Sequence, residues 1–317
     1  MDYLFLALGL MMLVKGADFF VEGSSSIAKL LNIPPILIGL TIVAFGTSSP
    51  EAAVSISAAV KGTGSIALGN IIGSNIFNAS LVVGVTAFIY PLKVQRQTIK
   101  KEIPLALLAS IMLIVTISDV FLQGFGENII TRSDGLMLLG FFSIFLYYVY
   151  ELATHNSEMT AENSVTHRSS TVKIATYTIG GLTAIIFGGN LVVNSSITIA
   201  LNLGMSQTLV GLTIVAIGTS LPELITSITA ARKKESEIAL GNIVGSNIFN
   251  ILFILGASSV ISPLDVDPKI FLDAFAAILI TFVLLIFSSS HKKISKKEGA
   301  FLLLVYIGYT VYIVLRN

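Results

Sequence analysis

GLTIVAFGTSSPE at 39–51 returns as GLTIVAIGTSLPE at 211–223, and ALGNIIGSNIFN at 67–78 returns as ALGNIVGSNIFN at 239–250. Both pairs share one offset of 172 residues, and about 28 of the 40 positions in 39–78 are identical to their partners in 211–250. Agreement of that length at one offset marks an internal repeat. The chain is therefore read as two copies of one unit, residues 1–152 and 171–317, joined by a polar linker at 153–170. The linker holds His155, Glu158, Glu162 and His167, to which no chemistry is assigned.

Working outward from the repeats, the flanking sequence is apolar. Of 317 residues, 54% are hydrophobic and 12% charged, about half the charge of a soluble domain. A membrane span takes about 20 apolar residues. The apolar runs predict ten helices, at 3–28, 34–60, 65–90, 102–119, 134–152, 171–200, 205–231, 237–262, 269–288 and 297–315. These runs are too long for the alternating strands of a membrane barrel. The expected fold is an all-α membrane protein in the lipid bilayer. Net charge is +1 and no basic patch interleaves with aromatics, so nucleic acid is not a partner; the absence of cysteine excludes disulfides and thiolate metal sites. The apolar N-terminus lacks a basic leader and a cleavage site and reads as the first span.

Lysine and arginine set the orientation. With both termini outside, the inside segments hold Lys29, Lys93, Arg96, Lys100, Lys101, Arg168, Lys173, Arg232, Lys233, Lys234, Lys292, Lys293, Lys296 and Lys297, which is 14, against four outside, Lys61, Arg132, Lys269 and Arg316. Each copy then has five spans. An odd number inverts the second copy relative to the first, an arrangement that places a shared site near the bilayer midplane, as in secondary transporters.

Within the repeats, glycine and serine by themselves indicate close helix packing. The glutamates change the reading. Glu51 and Glu223 stand mid-span at equivalent positions, with no lysine or arginine in the same stretch. A carboxylate at membrane depth is costly unless paired, protonated or hydrated, and a bound cation is its natural partner. Pro50 and Pro222 lack an N–H and clash with the carbonyls of Gly46 and Gly218, so the helices are expected to kink or unwind across Ala44–Pro50 and Ala216–Pro222. Such backbone is tolerated where it is buried or lines a cavity. Thr47, Ser48, Thr219 and Ser220 add hydroxyls. Ser74 and Asn78, four apart, share a helix face, and Ser246 and Asn250 repeat this. Gly69, Gly73, Gly241 and Gly245 are expected to let backbones approach, and Asn70, Asn75, Asn242 and Asn247 to hydrogen-bond between helices. An all-oxygen donor set suits hard cations such as Ca²⁺. Two carboxylates carry −2, balanced by one Ca²⁺ or two Na⁺. Asp18 and Glu22 read as a cytoplasmic-end ion pair near Lys15 and Lys29, and Asp265 and Asp267 as a solvated turn.

The paired segments 46–51 and 218–223, with 69–75 and 241–247, resemble the α-repeats of the cation/calcium exchanger superfamily, most closely its microbial sodium/calcium exchanger branch. The resemblance implies four cation sites among the second, third, seventh and eighth helices, and three Na⁺ exchanged for one Ca²⁺ by alternating access as the first and sixth helices slide. It implies that the Glu51 and Glu223 carboxylates serve both ions, joined on Ca²⁺ by backbone oxygens of Thr47 and Thr219. It gives Na⁺ the carbonyls of Ala44 and Ala216 and the hydroxyls of Thr47, Ser48, Thr219, Ser220, Ser74 and Ser246, with Asn78 and Asn250 completing the central site. Some relatives carry Asp at one of those last two positions. Asn at both argues against a potassium-dependent member and leaves proton coupling open. The reading is a Na⁺/Ca²⁺ antiporter, multi-pass in a microbial plasma membrane, acting as a monomer, not an enzyme and without a cofactor. The alternatives are an H⁺-coupled Ca²⁺ antiporter and a cation channel, whose filters are usually rings from several subunits. An intramembrane enzyme would need a nucleophile–base pair, and the histidines (His155, His167, His291) fall in predicted loops.

Overall fold

The long apolar runs become helices because an isolated backbone in lipid must satisfy its own hydrogen bonds. A computed structural model describes residues 2–124, 126–160, 170–204 and 216–316. Besides two five-residue helices at Arg96–Lys100 and Asp119–Gln123, the elements in chain order are α1 (Asp2–Leu30), α2 (Pro35–Thr47), α3 (Ser49–Val60), α4 (Gly64–Ile89), β1 (Leu92–Lys93), α5 (Glu102–Thr116), β2 (Ile129–Ile130), α6 (Arg132–Thr160), α7 (Thr171–Asn202), α8 (Ala216–Thr219), α9 (Leu221–Arg232), α10 (Ser236–Ile261), β3 (Leu264–Asp265), α11 (Ile270–His291), β4 (Lys293–Ile294) and α12 (Lys296–Arg316). Every one of the ten expected stretches carries helix. Among the described residues seven helices are long and apolar enough to span, or eight with the broken pair α2–α3 taken as one. The expected fourth span is shorter, as the 15-residue α5. The start of the seventh, 205–215, with the repeat residues Gly211–Val215, lies outside the described residues, as do 161–169 of the linker with Glu162 and His167. α6 continues past 152, the expected edge of the first copy, and so takes in His155, while His291 closes α11; neither lies in the expected loop.

The chain forms two compact units, each drawing on both sequence copies: Met1–Pro50 with Tyr147–Ile243, and Glu51–Leu146 with Val244–Asn317. In the first, α1 packs along α7. A Cβ on Gly9 would fall 2.9 Å from the Gly188 carbonyl oxygen, and one on Gly16 would fall 2.9 Å from that of Gly181. Contacts that ascend α1 descend α7, so the two helices run antiparallel with backbones touching, the approach that only glycine permits. At the offset of 172, Gly9 corresponds to Gly181 and Gly16 to Gly188. Equivalent helices therefore cross in opposite directions. α2 meets the start of α10 in the same way, with a Cβ on Gly241 falling 2.9 Å from Gly39 Cα. Gly69 and Gly73 make no such approach among the described residues, since nothing lies within 4 Å of a Cβ at either; that expectation is corrected.

In the second unit, α4 and the described C-terminal part of α10 carry the polar repeat residues. Of the most apolar stretch of each full helix, 78% and 94% is buried, against 11% for α12, so α12 is one of the helices that offer side chains to lipid. Two short antiparallel ribbons tie the connections together, Leu92↔Ile294 with Lys93↔Lys293 and Ile129↔Asp265 with Ile130↔Leu264. Each ribbon joins a connection of one copy to a connection of the other, and the first brings the lysine-rich segments 93–101 and 292–297 to one side of the unit. Arg316 closes α12 onto α11 with a bidentate pair to Asp273, at 3.0 and 3.1 Å.

Candidate functional site

Each glutamate of the repeat opens a helix after a break. Glu51 stands in the first turn of α3 and Glu223 in the first turn of α9. The breaks are local. Ser48 has φ −81°, ψ 7° and Ser220 has φ −92°, ψ 6°, both in the sparsely populated bridge region. The expected kink is present in the first copy, where α2 and α3 meet at 50°, and it is made through a one-residue interruption instead of unwinding over seven residues. Proline sits in the second position of α3 and of α9, where its missing N–H would be unsatisfied anyway. The Gly46 carbonyl released by Pro50 accepts the Ser49 hydroxyl at 2.7 Å, and the Ala44 carbonyl accepts the Ser48 N–H at 3.0 Å and the Thr47 hydroxyl at 3.4 Å. An anion in the first turn of a helix is favoured by the helix dipole.

In the first unit, Glu223 is fully buried and its Oε1 accepts the Ser48 hydroxyl at 2.8 Å. Asn242 braces that arrangement. Its Nδ2 donates to Ser227 Oγ at 2.9 Å and to the Glu223 carbonyl at 3.3 Å, while its Oδ1 accepts the Thr47 hydroxyl at 2.9 Å. Thr47, Ser48, Thr219 and Ser220 are all buried. Ala216 begins α8.

In the second unit, Glu51 is likewise fully buried. Asn70 repeats the role of Asn242, donating to Ser55 Oγ at 2.9 Å and to the Glu51 carbonyl at 3.4 Å. Asn75 and Asn247 exchange bonds, each side-chain Nδ2 donating to the other's backbone carbonyl, at 3.2 and 3.4 Å. These four asparagines are the helix-to-helix bonds expected of them. Ser74, Ser246, Asn78 and Asn250 are buried. Among the described residues, Ser246 Oγ, both amide atoms of Asn78 and Asn250 Oδ1 have no hydrogen-bond partner. A buried polar atom without a partner is costly and is an oxygen or amide ready for a ligand.

Two features escaped the sequence. Widened π-helical turns occupy Gly39–Val43, Asn78–Val82 and Phe249–Leu255, the last two enclosing Asn78 and Asn250. Such turns are frequent at functional sites, and neither of those two stretches holds a glycine or proline that would signal one. The acids near the ends of spans are structural: Asp18 faces Lys233 at 3.7 Å and Glu22 faces Lys173 at 3.4 Å, in place of Lys15 and Lys29. Asp265 and Asp267 are exposed, as expected for a turn. No group of three or more His, Cys, Asp or Glu suited to a metal occurs among the described residues. The Glu223 carboxylate is met by the Ser48 hydroxyl, and buried hydroxyls and amides stand at Thr47, Ser48, Ser74, Asn78, Ser220, Ser246 and Asn250, oxygen donors of the kind a hard cation takes.

The family model for sodium/calcium exchanger protein matches residues 1–151 and 173–315. The chain is 34% identical to the sodium/calcium exchanger MaX1 of Methanosarcina acetivorans, over 98% of this chain and 97% of that one. It is 40% identical to the putative antiporter CaxA of Alkalimonas amylolytica, over 96% of each. Its fold matches a solved structure of the sodium–calcium exchanger NCX_Mj, soaked with zero Na⁺ and Ca²⁺, with a TM-score of 0.83, 32% identity and 98% of both chains covered.

Proposed function

This chain belongs to the sodium/calcium exchanger protein family, and from that premise we propose that it is a secondary active antiporter that exchanges Na⁺ for Ca²⁺ by alternating access, three Na⁺ for one Ca²⁺. The observation that carries the proposal is the pair of fully buried glutamates at equivalent repeat positions, Glu51 and Glu223, each opening a helix after a break. A carboxylate buried in a membrane span is costly without a partner and marks an ion pathway. The ligands are the Glu51 and Glu223 carboxylates, with backbone oxygens of Thr47 and Thr219 on Ca²⁺. For Na⁺ they are the carbonyls of Ala44 and Ala216, the hydroxyls of Thr47, Ser48, Thr219, Ser220, Ser74 and Ser246, and the amide oxygens of Asn78 and Asn250. The unpartnered Ser246, Asn78 and Asn250 atoms support this set.

Two carboxylates balance one Ca²⁺ or two Na⁺, so a third Na⁺ leaves one positive charge on the loaded carrier. Each cycle then moves charge, worth about 2.3 kcal/mol per 100 mV. Ten spans in two inverted five-span copies, both termini outside, a microbial plasma membrane and a working monomer complete the proposal. The antiparallel crossing of equivalent glycines in α1 and α7 supports the inversion. The experiment is ⁴⁵Ca²⁺ uptake into proteoliposomes under an imposed Na⁺ gradient, under an imposed H⁺ gradient, and under neither, with the membrane potential clamped and unclamped. Uptake driven by Na⁺ and accelerated by an inside-positive potential when Na⁺ exits is expected. Uptake that follows only the H⁺ gradient replaces the coupling ion, and uptake with neither gradient indicates a channel.

A further inference from the structure

We infer that Asn75 is a positioning residue for cation binding: it fixes the Asn250 amide so that Oδ1, and not the N–H, is presented as a ligand. The assignment rests on the exchange reading above. A backbone carbonyl only accepts, so the bond from Asn75 to the Asn247 carbonyl, 3.2 Å, must use the Asn75 nitrogen. That directs Asn75 Oδ1 the other way, where it accepts from Asn250 Nδ2 at 3.0 Å. Because Oδ1 cannot donate, the Asn250 nitrogen is the only atom of its amide that fits there. Asn250 Oδ1 is thereby left on the opposite edge, fully buried and without a partner among the described residues. The direction of every bond follows from one main-chain carbonyl.

The equivalent relay is not made on the other copy, although its residues are identical. Asn247 Nδ2 holds the Asn75 carbonyl at 3.4 Å, but Asn247 Oδ1 and both amide atoms of Asn78 lack partners among the described residues. Asn250 is therefore an oriented oxygen ligand and Asn78 an amide free to turn. The Asn75 amide oxygen bonds Asn250, so Asn75 acts on the cation through that residue.

The test is a double-mutant cycle read by equilibrium ⁴⁵Ca²⁺ binding and its displacement by Na⁺ in the purified full chain, with melting temperature as the folding control. Asn75→Leu is expected to weaken binding by about five-fold, the scale of one net hydrogen bond. In an Asn250→Leu background the same change is expected to have no further effect, because Asn75 then has nothing to orient. Additive losses overturn the assignment, since independent sites add. Asn75→Ala, which removes both the bond to the Asn247 carbonyl and the acceptor for the Asn250 amide without filling the space, is expected to weaken binding on the same scale and, like Asn75→Leu, to have no further effect in the Asn250→Leu background. If Asn75→Leu fails to fold, Asn75→Ala takes its place, and losses that add to those of Asn250→Leu overturn the assignment. Wild-type protein that binds neither ion overturns the exchange reading and this one with it; normal wild-type binding with additive losses overturns this one alone.

Discussion

Replacing Glu223 by glutamine removes one charge while keeping the shape and an amide oxygen that accepts the Ser48 hydroxyl now held at 2.8 Å. The side chain is fully buried, so the relevant screening is that of the protein interior. At an effective dielectric near 20, two unit charges about 4 Å apart attract by about 4 kcal/mol. A monovalent ion loses about that much and a divalent ion about twice. Recovered carboxylate desolvation offsets part of the loss, but it is the same for both ions and cancels in the comparison. Ca²⁺ affinity should therefore fall by about three decades more than Na⁺ affinity. The assay is paired: ⁴⁵Ca²⁺ binding competed by Na⁺ in purified protein, and Na⁺-gradient-driven uptake in proteoliposomes. Uptake is expected to vanish while the ion-free melting temperature holds or rises. Wild-type uptake, or equal weakening of both ions, would refute the charge argument.

Asn242→Ala removes three buried bonds, to Thr47, Ser227 and the Glu223 carbonyl, and should cost about 3 kcal/mol of stability, read as a lower denaturation midpoint together with weakened Ca²⁺ binding. Gly181→Leu places a side chain where a Cβ already meets the Gly16 carbonyl oxygen at 2.8 Å; α1 and α7 should separate, with a melting temperature lower by several degrees, and unchanged melting would sink the close-approach account. Lys93→Cys with Lys293→Cys should form a disulfide on mild oxidation in this cysteine-free chain, because directly paired residues on antiparallel strands lie within bridging distance. No cross-link on gels would refute the ribbon.

The helices, the doubled motif and the two acids were legible in the sequence because each is a local signal. Hydropathy is summed over one span, proline acts on the turn before it, and Glu51 and Glu223 declare themselves by lying deep in apolar runs. The site was legible in its residue types and less so in its geometry. Ser49 illustrates the limit: proline predicts a released Gly46 carbonyl, but only the folded backbone shows the neighbouring hydroxyl returning to it and confining the break to Ser48. The π turns at Asn78–Val82 and Phe249–Leu255 follow from packing and leave no composition signal.

Sequence alone determined that the chain is two related sets of apolar helices carrying matched buried acids. Tertiary structure alone decided which copies of identical residues do what. Asn75 and Asn247 are equivalent in sequence and exchange equivalent bonds, yet only Asn75 goes on to hold Asn250. Hydrogen bonds need donor and acceptor within about 3 Å and correctly aimed, a condition set by where backbones 172 residues apart come to lie and not by the identity of the residues themselves.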